Sequence, residues 1–218
     1  MTAPNKRVIM GSSKICKITA TIDGKEQQND VKSDYVSNEE AEVLISALPY
    51  EYRGIVIAAV ETGFRVGDLC KAKAWNYDKS EQTLTIVEQK TGKTRTVGAT
   101  PRLLRVLEGL DGHGIDRLCY RTYLFEHDGH KPVSRSTVWR WVTRTWERLH
   151  QGEERNITPH SFRKLYAVNR RKAGAKLGDI SADLNHERIE TTMIYAFADM
   201  LFEAEADVFN KSTYVPLV

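Results

Sequence analysis

Tyr195 ends the run Leu184-Asn185-His186-Glu187-Arg188-Ile189-Glu190-Thr191-Thr192-Met193-Ile194-Tyr195, nine positions after His186. Upstream, Thr158-Pro159-His160-Ser161-Phe162-Arg163 carries an HxxR pair at the start of a predicted helix. Thr62-Gly63-Phe64-Arg65-Val66-Gly67-Asp68-Leu69 sets an arginine just past a glycine-marked break. Two forked guanidinium groups suit the nonbridging oxygens of a phosphate and the extra charge of a pentacoordinate transition state. A free phenol, with a pKa near 10, is only about 0.1% ionised at pH 7, so a tyrosine nucleophile needs help from its neighbours. The set fits a site that holds a phosphodiester and attacks it with tyrosine.

Each residue alone has a plainer reading. Tyr195 suits a half-buried core tyrosine, His186 a histidine at a helix start, and Arg65 a solvated cation at a helix end. In one order along one chain they resemble the tyrosine recombinase, or phage integrase, family, whose pattern is arginine, lysine, HxxR, histidine or tryptophan, then tyrosine. The matching residues are Arg65, Lys90, His160, Arg163, His186 and Tyr195, and the likeness runs from about Val36 to about Asn210. Two positions depart from the pattern: Asn185 stands where glycine commonly precedes the second histidine, and Lys164 follows Arg163 where histidine is common.

The resemblance implies that Tyr195 forms a 3′-phosphotyrosyl link to DNA and that a strand hydroxyl reverses the step, with no ATP and no metal. Arg65, Arg163 and His186 would hold the phosphate, Lys90 would protonate the leaving 5′ oxygen, and His160 would move the tyrosine proton. Lys93, across the same turn, is the alternative acid. Asp68 would orient Arg65. Double-stranded DNA at a recombination site is the implied partner, bound by a homotetramer that is monomeric or weakly associated when free, with an accessory DNA-bending or directionality protein. Strand relaxation of the type IB topoisomerase kind, or a noncatalytic DNA-binding regulator on the same scaffold, are the rival functions.

The elements that must position these residues are mostly helical. Ser37 and Glu40 form a capping box before an apolar face that stops at Pro49; a second helix spans about Tyr52 to Thr62 and ends at Gly63. Thr83 to Val87 and Thr94 to Val97 alternate as strands around Thr91-Gly92, which puts Lys90 beside a hairpin turn. Helices are expected from about Pro101 to Leu110, Ser134 to Leu149, His160 to Ala173, Lys176 to Leu184, Ile189 to Tyr195 and Asp199 to Phe209. The fold class is therefore mainly α (α+β), a helical catalytic domain with a small antiparallel hairpin. In the Ser134 to Leu149 helix, Val138, Trp141, Val142, Thr145 and Leu149 share a face opposite Arg140, Arg144 and Arg148. Arg135, Arg140, Arg144 and Lys164 are the candidate DNA contacts, and Trp139, Trp141 and Trp146 are expected to pack.

Residues 1–35 read as an arm or linker remnant with a β-like run, Ile15 to Ile22, and residues 36–218 as the catalytic domain. At about 199–210 a helix with Phe197, Leu201, Ala204 and Val208 on one stripe would dock on a neighbouring protomer or fold back on its own domain.

A chain of 218 residues, 41% hydrophobic, can bury one substantial core. Its net charge of +3 does not by itself point to nucleic acid, but the basic residues concentrate between Lys131 and Lys176 and acids dominate after Asp179. Cys16, Cys70 and Cys119 show no pairing pattern and read as reduced thiols, and no stretch has the length and apolarity of a membrane span. A cytoplasmic protein is expected.

Overall fold

A computed structural model describes residues 17–22, 25–30, 33–109, 123–127 and 131–203. The chain divides into two compact units, Met1–Lys32 and Ser33–Val218. The first contains a hairpin, β1 (Lys17–Ile22) antiparallel to β2 (Lys25–Asp30), with Ile22 opposite Lys25. The apolar alternation of β1 and the turn after it are visible in the sequence; the polar return strand, Lys-Glu-Gln-Gln-Asn-Asp, carries no apolar alternation that would announce it.

The second unit opens with Ser33–Val36, where Tyr35 and Val36 are buried, so these residues belong with its core and not with the leading segment. Helix α1 (Asn38–Ala47) begins at the expected capping box, with the Glu40 amide on the Ser37 hydroxyl at 3.2 Å and the Ser37 amide on the Glu40 carboxylate at 2.9 Å. Helix α2 (Tyr50–Thr62) ends at Gly63, which adopts φ +65°. One turn, α3 (Val66–Leu69), follows directly, so Arg65 caps a helix of four residues. A three-stranded antiparallel sheet then forms from β3 (Tyr77–Asp78), β4 (Thr83–Val87) and β5 (Thr94–Gly98), one short strand more than the hairpin pattern implies. Helix α4 (Pro101–Leu107) is capped by Thr100 and stops three residues earlier than expected. After a minimal pair, β6 (Glu126–His127) and β7 (Lys131–Pro132), come α5 (Arg135–Leu149), α6 (Pro159–Lys172), α7 (Leu177–Asp183) and α8 (Ile189–Ala196).

The packing centres on α6. Its Phe162, Leu165 and Val168 enter a large core with Leu44, Ile55, Leu69, Leu84, Leu103 and Val142, while Ala167 enters a small one with Ile180, Leu184 and Ala196. An amphipathic helix flanked on two sides in this way is fixed in rotation, so residues three apart on it, such as His160 and Arg163, have defined directions. In α5 the buried set is Val138, Val142, Thr145 and Trp146; Trp141 and Leu149 lie at the edge, and Trp139 is half exposed, against the expectation that it packs. Trp146 does pack, stacked on His150 with the Arg155 guanidinium over its ring.

A second helical segment begins at Ala198 and is described as far as Glu203. Ala198 is buried and Phe202 packs against Tyr35 and under Arg155 of the same chain, whereas Leu201 is exposed. The inward face at its start is therefore one position on from the expected stripe; Ala204 and Val208 lie outside the described residues. Among the described residues no helix is long and apolar enough to cross a membrane.

Gly63 gives the first test. A Cβ there would stand 2.5 Å from the Tyr166 ring, whose hydroxyl donates to Asp183 at 3.0 Å, and the backbone is left-handed. Gly63→Ala is expected to cost about 1–3 kcal/mol, lowering the melting temperature by about 2–4 °C per kcal/mol. An unchanged unfolding midpoint would show that this junction yields freely.

Candidate active site

Arg163 is nearly inaccessible, at 1% exposure, yet carries a cation. Its two terminal nitrogens donate to the carbonyls of Gly63 and Leu184. These carbonyls belong to the turn before Arg65 and to the end of α7, so one side chain on α6 binds together the three segments that hold the sequence motifs. Desolvation, then repulsion from Arg65, pushes the guanidinium down to about 10; Glu88 and Tyr195 oppose the shift. Its Nε is buried with no partner among the described residues.

The start of α6 places the histidine. Thr158 accepts from the His160 amide at 3.2 Å while its own amide donates to the Ser161 hydroxyl at 3.2 Å, and Pro159 fits the first turn, where no amide is needed. His160 Nε2 and the Tyr195 hydroxyl share a hydrogen bond. His186 meets the same phenol edge-on, with ring centroids 4.8 Å apart, and its Nδ1 lies 3.0 Å from the Thr192 hydroxyl.

Asn185 accounts for one departure from the family pattern. With φ +46° it occupies the left-handed position after α7, the His186 amide reaching back to Ser181 at 3.0 Å and the Asn185 amide to Ala182 at 3.1 Å. That is a Schellman ending, in which glycine is favoured and asparagine is the usual substitute. The turn throws His186 out of the helix toward Tyr195.

Both imidazoles are neutral at physiological pH. Loss of water around His160, then the charges of Arg163, Lys164, Arg65 and Arg135, bring it down to about 4; desolvation, then Arg163 and Arg65, bring His186 down to about 3. For Tyr195, desolvation raises the phenol above its usual value against the pull of Arg163 and Arg65. The resting site thus has a protonated phenol against an imidazole that, in the tautomer leaving Nε2 bare, can accept its proton, with two guanidinium groups alongside.

Arg65 is held by a residue that sequence reasoning missed. Its Nη1 donates at 2.6 Å to Glu88, a carboxylate with 0% side-chain exposure. Burial would raise that carboxyl, but the hydrogen bond and charge of Arg65 outweigh it and keep Glu88 ionised. Asp68, expected to orient Arg65, accepts the Gln89 amide at 3.1 Å through one oxygen, which fastens the hairpin turn to α3, and acts on Arg65 through its charge. Lys90 and Lys93 are both exposed on that turn, and the ammonium of Lys90 has no partner among the described residues. Arg95, also missed, is buried on β5, donates to the Thr62 carbonyl and lies over Phe64, 4.4 Å from the ring centroid. Strand alternation points it inward, where an arginine reads as a mismatch until its carbonyl is known.

Of the candidate DNA contacts, Arg140 and Arg144 are exposed on α5, and Arg135 stands at its start with its side chain beside Gly67. Lys164 is corrected: it is 4% exposed and its ammonium donates to the Ser33 carbonyl, so it faces inward and not a groove.

The family model described as "Phage integrase family" matches residues 29–201, most of the chain. The chain belongs to that family. It is 27% identical over 163 residues to the tyrosine recombinase XerA of Pyrococcus furiosus, covering 73% of this chain and 56% of XerA. It is 28% identical over 165 residues to the integrase of Escherichia phage P2, covering 76% of this chain and 43% of that protein. The chain thus spans about half the length of the curated relatives it matches. Solved structures share its fold. A XerA recombinase crystal structure aligns with TM-score 0.62 at 24% identity, over 84% of this chain and 65% of that one. A lambda integrase dimer bound to a COC′ core site aligns with TM-score 0.62 at 21% identity, over 77% and 49%.

The depressed histidines generate a pH prediction for the free protein. Unfolded imidazoles take up protons near pH 6.5, whereas the folded ones stay neutral to about 4 and 3, so the unfolded chain binds more protons in between. Stability should therefore fall as pH drops from about 6.5 toward about 4.5, before most carboxylates titrate. In a His160→Asn/His186→Asn variant the denaturation midpoint should vary less with pH across that window. An equally steep loss in the variant would assign the effect to other groups.

Proposed function

We propose that this chain is the catalytic portion of a site-specific DNA recombinase, and that Tyr195 is its nucleophile. The observation that carries the reading is the hydrogen bond between His160 Nε2 and the Tyr195 hydroxyl, next to Arg163, in a member of the phage integrase family. In the proposed step His160 accepts the phenol proton as the tyrosine oxygen bonds to phosphorus. Arg65, Arg163 and His186 stabilise the charge that gathers on the nonbridging oxygens. The bond from phosphorus to the 5′ oxygen breaks, and that oxygen takes a proton from Lys90, or from Lys93 on the same turn. A 3′-phosphotyrosyl ester remains, and attack by a strand 5′ hydroxyl returns the phenol. The ester conserves the energy of the broken bond, so resealing needs no nucleotide.

The double-stranded recombination site would lie along α5, with Arg135, Arg140 and Arg144 toward it. On that DNA we assign the chain to a homotetramer, which a DNA-bending or directionality protein can assist, and the free chain to a monomeric or weakly associated state. The nucleoid-bearing cytoplasm of a bacterial, phage or mobile-element host is the compartment that suits it. Residues 1–32 would be the remnant of an arm or linker leading to this catalytic domain, to which Ser33–Tyr35 already belong, while the helix that begins at Ala198 starts by packing in cis.

Covalent capture tests the reading. Nicked duplexes with a randomised centre are incubated with the chain, and protein-linked DNA is recovered after denaturation. The intact chain should enrich a defined sequence as an adduct; Tyr195→Phe should shift the same duplex on a native gel yet form none, and His160→Asn should slow adduct formation by about 10²–10⁴. Adduct from the phenylalanine variant, or none from the intact chain, rejects the assignment. Joined products, as opposed to relaxed plasmid alone, separate recombination from topoisomerase activity.

The α5 placement has its own measurement on the captured duplex. Replacing Arg140 and Arg144 together by alanine should flatten the log–log salt dependence of binding by about one unit for each phosphate that the pair neutralises. An unaltered slope and affinity would take this face out of the interface.

A further inference from the structure

Glu88 lies at the meeting point of two parts of the site. One carboxylate oxygen accepts from Arg65 Nη1 at 2.6 Å and from the Thr91 hydroxyl at 3.1 Å. Its backbone closes the hairpin turn, the amide donating to the Lys93 carbonyl at 2.9 Å and the carbonyl accepting from the Gly92 amide at 2.8 Å. The next residue secures that turn to α3, through its amide on Asp68 at 3.1 Å and its side-chain amide on the Gly67 carbonyl at 3.0 Å. Arg65 keeps 26% of its side chain exposed, while Glu88 has none.

We propose that Glu88 is the positioning residue of Arg65: a buried carboxylate that ties one guanidinium nitrogen to the hairpin turn and leaves the others presented to the phosphate. The proposal rests on the reading that Arg65 holds the phosphate.

Three observations support it. Arg65 and Arg163 are close enough to repel, and the charge of Glu88 acts on both, so the carboxylate lets two cations share a small space before any phosphate arrives. Asp68, three residues after Arg65 and the more obvious partner by sequence, is engaged with the Gln89 amide, which leaves Glu88 as the carboxylate hydrogen-bonded to the arginine. An arginine side chain has several free torsions, and fixing one nitrogen on a rigid strand end removes that freedom in advance of binding, so ordering it draws little on the phosphate's binding energy. The carboxylate acts through the guanidinium and does not touch DNA.

The test is a double-mutant cycle on the duplex recovered by covalent capture, reading single-turnover cleavage, duplex affinity and melting temperature for the intact chain, Glu88→Gln, Arg65→Ala and Arg65→Ala/Glu88→Gln. Glu88→Gln should slow cleavage at least about tenfold, with affinity changed less than about threefold, because binding is shared with many other contacts. In the Arg65→Ala background the same change should cost less than about twofold, since its route is gone. Arg65→Ala strands a buried carboxylate, so the double variant should melt higher than the single one; where Arg65→Ala does not fold, Arg65→Met, which keeps bulk but neither charge nor donor, serves in its place. A duplex with sulfur in place of the bridging 5′ oxygen, which leaves without a proton, should not restore Glu88→Gln.

Wild-type cleavage by Glu88→Gln, an equal proportional loss in both backgrounds, or rescue by the sulfur duplex would overturn the proposal, the last by moving the effect to the leaving-group side. Cleavage at the wild-type rate by Arg65→Ala would instead remove the reading beneath it, and the proposal with it.

Discussion

A cation buried between two backbone carbonyls organises this molecule. Taking a guanidinium out of water is costly, and Arg163 offsets part of that cost through hydrogen bonds that only a folded chain supplies, at Gly63 and at Leu184. Those two carbonyls are far apart in sequence and neither is part of a conventional salt bridge. The arrangement explains why the chain turns so sharply at both places: a left-handed glycine ends α2 and a left-handed asparagine follows α7, each turn presenting a carbonyl to the same side chain. Further charge compensation comes from Glu88, reached across Arg65. An anion held between the two arginines would lower the electrostatic cost of keeping them together, so the residues that strain the free protein are the ones the proposed reaction uses.

The same surroundings govern the histidines. Cationic groups that would hold a phosphate also keep His160 and His186 neutral, and a neutral imidazole can take a proton from a phenol where an imidazolium could not. Desolvation works the other way on Tyr195, keeping it protonated until a base and a substrate are both in place. The phenol, the two imidazoles and the buried guanidinium are thus set by one shared field, and none of them has its properties independently of the rest.

Much of this was legible in the chain. The capping box at Ser37, the break at Gly63 and the turn at Thr91-Gly92 located the first helices and the hairpin, because each depends on local backbone chemistry; the caps at Thr100, Ser134 and Thr158 emerge only in the structure. The motif spacing marked out the residues that the fold brings around Tyr195. What escaped were residues whose meaning is set by distant partners. Glu88, at the end of a strand, reads as a polar edge until Arg65 is seen beside it; Lys164 reads as one more cation on a basic helix until the Ser33 carbonyl is found above it; Arg95 reads as a broken alternation. β2 escaped for a different reason, since an all-polar strand leaves no period to detect.

Among the described residues, His160 meets the Tyr195 phenol from the start of α6 and His186 meets it from the turn after α7. For the proposed chemistry this has a genetic consequence. With the nucleophile, its base and the clamp all taken from one copy, two copies damaged at different members of the set would not restore each other, and lesions at Arg163, His186 and Tyr195 would form a single complementation group.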